Sequence, residues 1–573
     1  MQQVKNSTQP RKLYRFHGGI HLPDNKKQST GLTVEKARLP QQLIIPLSQH
    51  MGEPAEALVK VGDHVLKGEI IGKPQGYISA PVHAPTSGVV TAVETHPVPH
   101  PSGLPAHCII IDSDGEDRWG ELPGKISNYS TQEPALLRER IRNAGIVGLG
   151  GAAFPTSVKA KPGPDTKIHT LVINGAECEP YITCDDMLMR QQAEQVLTGA
   201  AILRYIIGAD SCLIAIEDNK PEATAAMGAA VTAAGIAWAE VVSIPTRYPS
   251  GGEKQLIKVL TGEEVPSGGI PSQIGFVCHN VGTAAAVADA VLEGKPLISR
   301  YVTLTGSGIS NPCNLEVLIG TPANELIEQA GGYTATVEKL ILGGPMMGFT
   351  LESDAVPITK AANCLLATDS TESPSSGVAL ACIRCGRCAE ACPVSLLPQQ
   401  MYWYSRAKDL EKTQEYNLFD CIECGCCSHV CPSHIPLVQY FRFAKTESWA
   451  KERETKASDR ARARSEARTA RQERIKAERK ALQAKKKAAL AKKKAAEKEG
   501  GSDPKKAAIE AAKARAAKKK TQMAQEGVEP GNTENLTDTQ QKAIDEVDSR
   551  RGEVAAEMRK DEEATDSSEQ KGL

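Results

Sequence analysis

The feature that most constrains this chain is a cysteine pattern that occurs twice within residues 382–432. The two segments read "CIRCGRCAEACP", beginning at Cys382, and "CIECGCCSHVCP", beginning at Cys421. Each has the spacing Cys-x2-Cys-x2-Cys-x3-Cys-Pro. Three cysteines at this spacing hold three corners of an iron–sulfur cube, while the fourth ligates the neighbouring cluster. The pattern therefore predicts two 4Fe-4S clusters whose fourth ligands are exchanged.

The predicted ligand sets follow from that exchange. One set is Cys382, Cys385, Cys388 and Cys431, and the other is Cys421, Cys424, Cys427 and Cys392. A zinc ribbon is the alternative, because paired Cys-x2-Cys motifs also bind zinc. Cys426 falls outside the spacing and is the odd thiol. The segment "MYWYSRAKDLEKTQEY" between the motifs is predicted to be helical, which indicates a helical ferredoxin domain.

A chain of 573 residues exceeds one hydrophobic core and suggests three to five domains, at roughly 100–200 residues each. The N-terminal segment "MQQVKNSTQPRKLYRF" lacks the apolar stretch of a secretion signal. No run reaches the roughly 18 apolar residues of a membrane span. We therefore expect a soluble cytoplasmic protein, in which clustered cysteines bind metal instead of forming disulfides.

Residues 1–125 are predicted to form an N-terminal region with an all-β module, because residues 40–115 have short alternating apolar runs rich in Val, Ile, Gly and Pro. "LVKVGDHVLKGEIIG" and "APTSGVVTAVE" resemble the two halves of a biotinyl/lipoyl-type barrel-sandwich domain. In that family a lysine at a hairpin tip, usually beside a methionine, carries the swinging arm. The segment "KPQGYISAPVH" has no such pair, so we expect the fold without the attached cofactor.

The remaining chain is predicted to contain four further regions, giving a multidomain α/β protein. Alternating helices and buried strands indicate an α/β domain at 126–298, in which ligands bind beyond the carboxyl ends of the strands. A compact β-β-α-β unit follows at 299–350, and the ferredoxin domain is placed at 365–445. The tail at 446–573 is rich in Ala and Lys but has no apolar stripe, so a solvated helix or disorder is expected.

The tail divides into two segments of opposite charge. Residues 451–520 carry 26 Lys and Arg against 10 Asp and Glu, whereas residues 521–573 carry 6 against 14. A nucleic-acid or anionic-lipid contact is the functional alternative for the basic segment, and a solvated surface is the simpler interpretation. Gly500, Gly501 and Pro504 are expected to interrupt the helix.

The segment "GLGGAAFPTSVK", from Gly148 to Lys159, is the candidate cofactor loop. It is neither a Walker loop nor a GxGxxG motif. Its glycines and its lysine would allow a flat or anionic group to approach the backbone closely. An ordinary tight turn is the alternative from the residues alone.

This loop is similar to the "GRGGAGFPTGLK" flavin loop of the NADH-oxidising flavoprotein subunit of respiratory complex I. "VINGAECEP", "YPSGGEKQLI" and "FVCHNVGT" resemble further segments of that subunit in the same order, and residues 300–348 resemble its β-grasp domain. That subunit lacks the barrel-sandwich start and carries one cluster. With "FHGGIHLPDNKK" near the N-terminus and two clusters, residues 12 to about 445 resemble the C subunits of Rnf-type ion-translocating electron transport complexes.

The resemblance implies specific cofactor-binding residues. The FMN phosphate, ring and ribityl chain are expected to contact Gly148, Gly150, Gly151, Lys159, Asn174, Asn280 and Thr283. The acidic residues of the NADH pocket are expected to be Glu177, Glu179 and Glu253, and Phe154 is expected to stack on the dinucleotide. The chain departs from the complex I pattern at four positions, where Ala176, Gly252, His279 and Gly282 replace acidic or amide residues.

The resemblance also implies a function. The chain would be a peripheral subunit on the cytoplasmic face of the bacterial inner membrane, oxidising NADH through FMN without a catalytic side chain and passing single electrons through two 4Fe-4S clusters. Partner subunits, including an iron–sulfur B subunit, would provide membrane attachment and ion translocation. Ferredoxin or another low-potential carrier would be the acceptor, and no nucleic acid is expected. The alternatives are an iron–sulfur relay that no longer binds NADH and a nucleic-acid-associated redox sensor.

Overall fold

A computed structural model describes residues 11–163, 166–372, 378–499 and 504–525, together with the isolated positions 547 and 549. The chain divides into two units, residues 1–455 and 456–573. The first unit contains the β module, the α/β domain, the β-grasp domain and the cysteine region.

The N-terminal module consists of two small sheets, as the barrel-sandwich prediction requires. The strands of the N-terminal region are β1 (Glu35–Lys36), β2 (Gln42–Pro46), β3 (Glu56–Ala57), β4 (His64–Val65), β5 (Ile70–Lys73), β6 (Val82–His83), β7 (Gly88–Pro97) and β8 (Pro105–Ser113). One sheet has the order β2-β8-β7-β4 and the other β3-β5-β6. Apolar residues such as Leu43, Ile71 and Ile109 fill the space between them. β1 lies apart from this module.

The α/β domain is built on a four-stranded parallel sheet with the order β11-β10-β9-β12. Its elements are α1 (Pro134–Asn143), α2 (Thr156–Lys159), β9 (Thr170–Gly175), α3 (Cys184–Gln191), α4 (Ala193–Ile207), β10 (Ser211–Glu217), α5 (Pro221–Ala233), β11 (Ala239–Ile244), α6 (Glu253–Thr261), β12 (Phe276–Asn280) and α7 (Val281–Ala288). Two apolar clusters cover the two faces of the sheet. This explains why the central strands are apolar at nearly every position.

The β-grasp domain has a six-stranded mixed sheet with the order β1-β14-β13-β17-β15-β16. Its elements are β13 (Ser299–Thr305), β14 (Cys313–Leu318), α8 (Ala323–Gln329), β15 (Lys339–Leu342), β16 (Phe349–Thr350) and β17 (Cys364–Thr368). The predicted β-β-α-β order is therefore present. The N-terminal strand β1 pairs in parallel with β14, so the chain before the barrel sandwich completes this sheet.

The cysteine region contains α9 (Arg387–Glu390), α10 (Pro398–Arg406), α11 (Leu410–Glu415), α12 (Cys426–His429) and the start of α13 (Leu437–Glu499). The segment expected to be one helix between the motifs is two helices. Lys408 has a φ of 58°, and the Asp409 side chain caps α11 by accepting from the Lys412 N–H at 3.1 Å. A left-handed residue followed by a new cap ends a helix and starts another.

A buried lysine connects the β module to the segment before the glycine loop. Lys360 Nζ donates to the carbonyl oxygens of Pro81 at 2.9 Å and Gly145 at 2.8 Å. Burial lowers the pKa of Lys360 to about 7. Because Gly145 lies at the C-terminal end of α1, the helix dipole favours a cation here. This contact fixes the start of the loop relative to the β module.

The described part of the tail comprises the later part of α13 and α14 (Pro504–Gln525), and its described side chains from residue 451 onward are exposed. A solvated helix, one of the two expected states, is therefore present there. The predicted break at Gly500 and Gly501 lies outside the described residues, and Pro504 begins α14. Among the residues that are described, no helix combines the length and the apolar character needed to span a bilayer.

Candidate functional site: two cysteine cavities and a glycine loop

The eight motif cysteines line two separate cavities, and the grouping is the crossed one. The first site is a cavity lined by Cys382, Cys385, Cys388 and Cys431. The second site is a cavity lined by Cys421, Cys424, Cys427 and Cys392. No disulfide joins any of the sixteen cysteines, all of which lie in the described parts of the chain. Four sulfur donors around a cavity that is otherwise mainly apolar form a donor set that fits a 4Fe-4S cluster.

The two motifs have the same backbone conformation. Each of the four predicted ligand cysteines of the second motif follows its counterpart by 39 positions. Arg384 and Glu423 have φ angles of 59° and 57°, and Gly386 and Gly425 have φ angles of 81° and 80°. A tight loop of this kind turns successive cysteines toward one point, which is why residues between the ligands adopt left-handed conformations.

The second site packs against the α/β domain. The Tyr248 hydroxyl, which is buried, donates to the carbonyl oxygen of Cys424 at 2.7 Å. Cys424 and Cys426 join Tyr248 in one apolar cluster, which Cys178 and Met346 border. The segment "YPSGGEKQLI", singled out in the sequence for its resemblance to a flavoprotein, therefore contacts a predicted cluster ligand directly.

The N-terminal segment "FHGGIHLPDNKK" also holds the second site. His17 Nδ1 lies 3.0 Å from the carbonyl oxygen of Cys392, and the Gly19 N–H donates to the carbonyl oxygen of Ala391 at 3.0 Å. Ile20 and Tyr248 form an antiparallel bridge. Sequence reasoning used this segment as a family signature but assigned it no role. The pair Gly18 and Gly19 was the available sign of a close contact. A side chain at Gly18 would collide with the backbone of Ala391 and Cys392.

The glycine loop is a closed turn anchored to α7. The Gly148 N–H donates to the Phe154 carbonyl at 2.9 Å, and the Ala153 N–H donates back to the Gly148 carbonyl at 3.1 Å. The Leu149 N–H donates to Thr283 Oγ1 at 2.9 Å. Gly151 has a φ of 108° and faces open space, so the predicted approach to the backbone is available there.

Asn280 organises the start of α7 beside this loop. Its Oδ1 accepts from the Gly282 N–H at 2.8 Å and caps the helix, and its Nδ2 donates to Asp185 Oδ2 at 2.5 Å. A side-chain carbon at Gly150 would lie 3.3 Å from Asn280 Cβ. The structure thus brings Gly150, Asn280 and Thr283 together beside the glycine loop.

Lys159 lies at the end of α2 and pairs with Glu253 at 2.7 Å, with both side chains about one-third exposed. Nearby, His279 is buried, its Nε2 has no hydrogen-bond partner, and burial lowers its pKa to about 3. Thr156 Oγ1, at the start of α2, is also buried without a partner. Unpartnered polar atoms beside a cation and an open glycine turn fit a polar, anionic cofactor such as FMN.

Glu177 and Glu179 have partners within the chain. Glu177 accepts from the N–H groups of Asp185 at 2.7 Å and Asp186 at 3.2 Å, at the start of α3. Glu179 Oε1 accepts from the Met346 N–H at 2.7 Å. Burial raises the pKa of Glu177 to about 8 and also raises the pKa of Glu179. Both carboxylates therefore position backbone segments around the site.

Lys26 is a residue beside the site that the sequence did not predict. Its ammonium is buried and donates to the carbonyl oxygens of Glu177 at 2.8 Å, Glu179 at 3.0 Å and Ile182 at 2.5 Å. It thereby fixes the turn that carries both glutamates. The charged end of "FHGGIHLPDNKK" was the only signal in the sequence.

The other predicted residues occupy the same edge of the sheet with different partners. Asn174, in β9, donates to the Gly251 carbonyl at 2.8 Å and accepts from the Ala176 N–H at 3.1 Å. Phe154 is partly exposed at the end of the loop. A larger cavity touches Leu149 and Gly282 but none of the predicted cofactor residues. The predicted residues therefore do not line this larger cavity.

Four protein-family models match this chain. The chain matches the family models of the RnfC barrel sandwich hybrid domain at 14–116, the Nuo51 FMN-binding domain at 141–289, the SLBB domain at 301–350 and the 4Fe-4S dicluster domain at 378–435. The C subunit of the ion-translocating oxidoreductase complex of Yersinia pestis is 51% identical over 453 residues, covering 79% of this chain and 72% of the relative. The chain belongs to this family of C subunits.

Two other members of the family are comparably similar. The C subunits of the ion-translocating oxidoreductase complexes of Pseudomonas aeruginosa and Klebsiella pneumoniae are 54% and 51% identical, each over 79% of this chain. The chain spans 58% and 60% of the length of these relatives. A crystal structure of NAD+-reducing [NiFe]-hydrogenase in the H2-reduced state overlaps 52% of this chain and 59% of its own, with 21% identity and a TM-score of 0.40.

The four positions that depart from the complex I pattern have the following surroundings in this member of the C-subunit family. Ala176 is fully buried, and its carbonyl accepts from the buried Lys220 ammonium at 2.7 Å. Gly252 precedes α6 and Gly282 lies in the first turn of α7. His279 lies in β12, an edge strand of the sheet, and its buried imidazole is neutral because burial lowers its pKa. The acidic residues of the related pocket are thus replaced by groups that need no counter-charge.

Proposed function

We propose that this chain is the NADH-oxidising subunit of a membrane-bound electron transport complex that moves ions. FMN, when bound, accepts two electrons from NADH and can release them singly, and 4Fe-4S clusters carry one electron at a time. The observation that carries the proposal is the contact between Tyr248 and Cys424 at 2.7 Å. It joins the FMN-binding domain to the second site.

The proposed roles of the residues follow from their contacts. Lys159 and the N–H groups of the glycine loop would bind the FMN phosphate, and Thr283 and Asn280 would hold that loop in place. Glu177 and Glu179 would position the backbone under the cofactor. Phe154 and Glu253 remain the side chains proposed to contact NADH. The eight cysteines would ligate two clusters in the crossed sets.

The proposed setting follows the family. The chain would lie on the cytoplasmic face of the inner membrane and bind there through partner subunits, including an iron–sulfur B subunit. Ion translocation would belong to those partners, and ferredoxin or another low-potential carrier would accept the electrons. Relatives named as subunits of an ion-translocating oxidoreductase complex support this proposal.

A relay that does not bind NADH is the second candidate. It is favoured by one observation: the carboxylates of Glu177, Glu179 and Glu253 all have partners within the chain. Under this candidate the FMN-binding domain would support the second site without oxidising nucleotide. The two candidates differ in whether NADH bleaches the flavin.

Lys159→Met tests the proposal, with Lys161→Met as the matched control because Lys161 is exposed two residues away. A charge-assisted hydrogen bond contributes about 1.5–3 kcal/mol, so we expect Lys159→Met to weaken FMN binding roughly 10- to 100-fold. Lys161→Met should change it less than twofold. FMN affinity is measured by fluorescence titration of the cluster-loaded protein, and NADH bleaching is recorded anaerobically.

The outcomes separate the candidates. Flavin bleaching by NADH followed by cluster reduction supports the dehydrogenase. Retained FMN that NADH does not bleach identifies the relay. Equal FMN affinity in both lysine variants contradicts the assignment of Lys159.

A further inference from the structure

The charge of helix α13 changes along its length. Residues 451–479 carry 11 Lys and Arg against 6 Asp and Glu, with the two signs interspersed. Residues 480–494, "KALQAKKKAALAKKK", carry seven lysines and no acidic residue. We call residues 480–494 the lysine segment. All its side chains are exposed, and within the described residues none of its lysines pairs with a carboxylate.

The lysines of this segment share one broad face of the helix. The run "AKKK" begins at Ala484 and again at Ala491, and seven residues make about two helical turns. Because each residue turns the helix by about 100°, the seven lysines fall within a sector of about 240°. The remaining sector holds only alanines, namely Ala481, Ala484, Ala488, Ala491 and Ala495. The segment therefore has a cationic face and a narrow uncharged one.

Two leucines lie among the lysines and not among the alanines. Leu482 and Leu490 are 57% and 60% exposed, and the same helical geometry places both inside the lysine sector. A lysine can keep its ammonium group in a polar layer while its methylene groups lie in an apolar one. A face that combines lysine and leucine therefore fits a partner that is anionic at its surface and apolar just below it.

A lipid membrane with anionic headgroups has both properties. Nucleic acid offers phosphate charge, but its backbone has no apolar layer to receive Leu482 and Leu490. We propose that the lysine segment lies on the membrane surface, with its lysines against anionic lipid headgroups and its two leucines in the interface. The inference rests on the proposed function only for the presence of a membrane. It adds a direct lipid contact to the attachment through partner subunits.

The test measures binding of the cluster-loaded full chain to vesicles by flotation. Anionic vesicles contain phosphatidylglycerol and phosphatidylethanolamine, and uncharged vesicles contain phosphatidylcholine. We expect binding to the anionic vesicles alone, and we expect it to weaken as the salt concentration rises. The lysine variant should weaken this binding at least about tenfold at low ionic strength. It carries glutamine in place of Lys486, Lys487, Lys493 and Lys494.

A matched control makes the same change in net charge elsewhere on α13. It carries glutamine in place of Arg460, Arg462, Arg464 and Arg468. Asp459 and Glu466 lie among these arginines, so vesicle binding should fall less than about threefold. Glutamine has nearly the helix propensity of lysine and arginine, so far-ultraviolet circular dichroism should be the same in all three proteins. Equal weakening by the two variants would show that only net charge matters and would overturn the proposal.

A second variant distinguishes a lipid from a nucleic acid. Leu482→Ala combined with Leu490→Ala removes apolar side chains but no charge. It should weaken binding to anionic vesicles about three- to tenfold and leave binding to a double-stranded DNA oligonucleotide unchanged. Unchanged vesicle binding in this variant would overturn the lipid assignment. So would displacement of the unaltered chain from the vesicles by DNA at equal phosphate concentration, or no binding to anionic vesicles at all.

None of these measurements uses FMN or NADH. Failure of NADH to bleach the flavin would therefore refute the dehydrogenase proposal and leave the vesicle result intact. A chain that oxidises NADH but does not bind anionic vesicles would refute only the lipid contact.

Discussion

The first and second sites have the same ligand spacing and the same backbone, but opposite surroundings. Matched positions under the 39-residue repeat hold Ile383 and Ile422, Arg384 and Glu423, and Arg387 and Cys426. The first member of each pair is exposed, and Cys426 has no exposed area. Cluster ligation thus determines the cysteines and glycines, whereas the residues between them depend on what faces each site.

This comparison accounts for the odd thiol. Cys426 lies where the first motif has Arg387, and it packs with Tyr248 and Ala391 in the apolar cluster at the domain contact. A small apolar side chain fits there and an arginine does not. Cys426 is therefore a packing residue of the second site, and no ligand role is needed to explain it.

Among the changes predicted here, Cys426→Arg should lower the free energy of unfolding the most. It places a charge without a counter-charge in a buried contact, which we expect to cost about 3–5 kcal/mol in the free energy of unfolding. Arg387→Ser, at the matched exposed position, should cost no more than about 0.5 kcal/mol. Both free energies of unfolding are measured by urea unfolding of the cluster-loaded protein, with the loss of cluster absorbance as the signal.

Cys426→Ser is the control for ligation. It should keep the full iron content, about eight atoms per chain for two clusters. A loss of iron in this variant would make Cys426 a ligand and would contradict the packing role. Equal destabilisation by Cys426→Arg and Arg387→Ser would remove the distinction between the two sites.

The sequence predicts features that depend on residues close together in the chain better than features that depend on residues far apart in it. The cysteine sets follow from local spacing and strict ligand chemistry, and their grouping into two cavities is the predicted one. The break at Lys408 was missed, because a left-handed residue other than glycine gives little local signal. The partner of Glu179, Met346, lies 167 residues away and is brought there only by packing of the β-grasp domain.

The glycines of the two loops sharpen the comparison at the level of the backbone. Gly386 and Gly425 both have φ near 80°, so alanine should cost each about 1–2 kcal/mol. A side chain at Gly386 meets nothing within 4 Å, but one at Gly425 would lie 2.7 Å from the Met346 carbonyl oxygen. Gly425→Ala should therefore cost about 1–3 kcal/mol more than Gly386→Ala.

The same urea assay measures the difference in unfolding free energy between the two variants. The strain from the left-handed φ cancels in that difference, because it is the same in both. A difference near zero would mean that the second motif does not press against the β-grasp domain in solution.

Tyr248→Phe should have the smallest of the three effects but the most specific one. It removes the hydrogen bond to the Cys424 carbonyl, which contributes about 1 kcal/mol. Because a donor near a cluster favours its reduced form, its loss should lower the midpoint potential of the cluster at the second site by at most about 40 mV, the one-electron equivalent of that bond. Tyr402→Phe is the control, since Tyr402 lines the first site and its hydroxyl accepts from Arg406. Potentiometric titration monitored by electron paramagnetic resonance should show that Tyr248→Phe shifts a cluster whose potential Tyr402→Phe leaves unchanged; a shift of the same cluster in both variants would mean that the two sites are not separately supported.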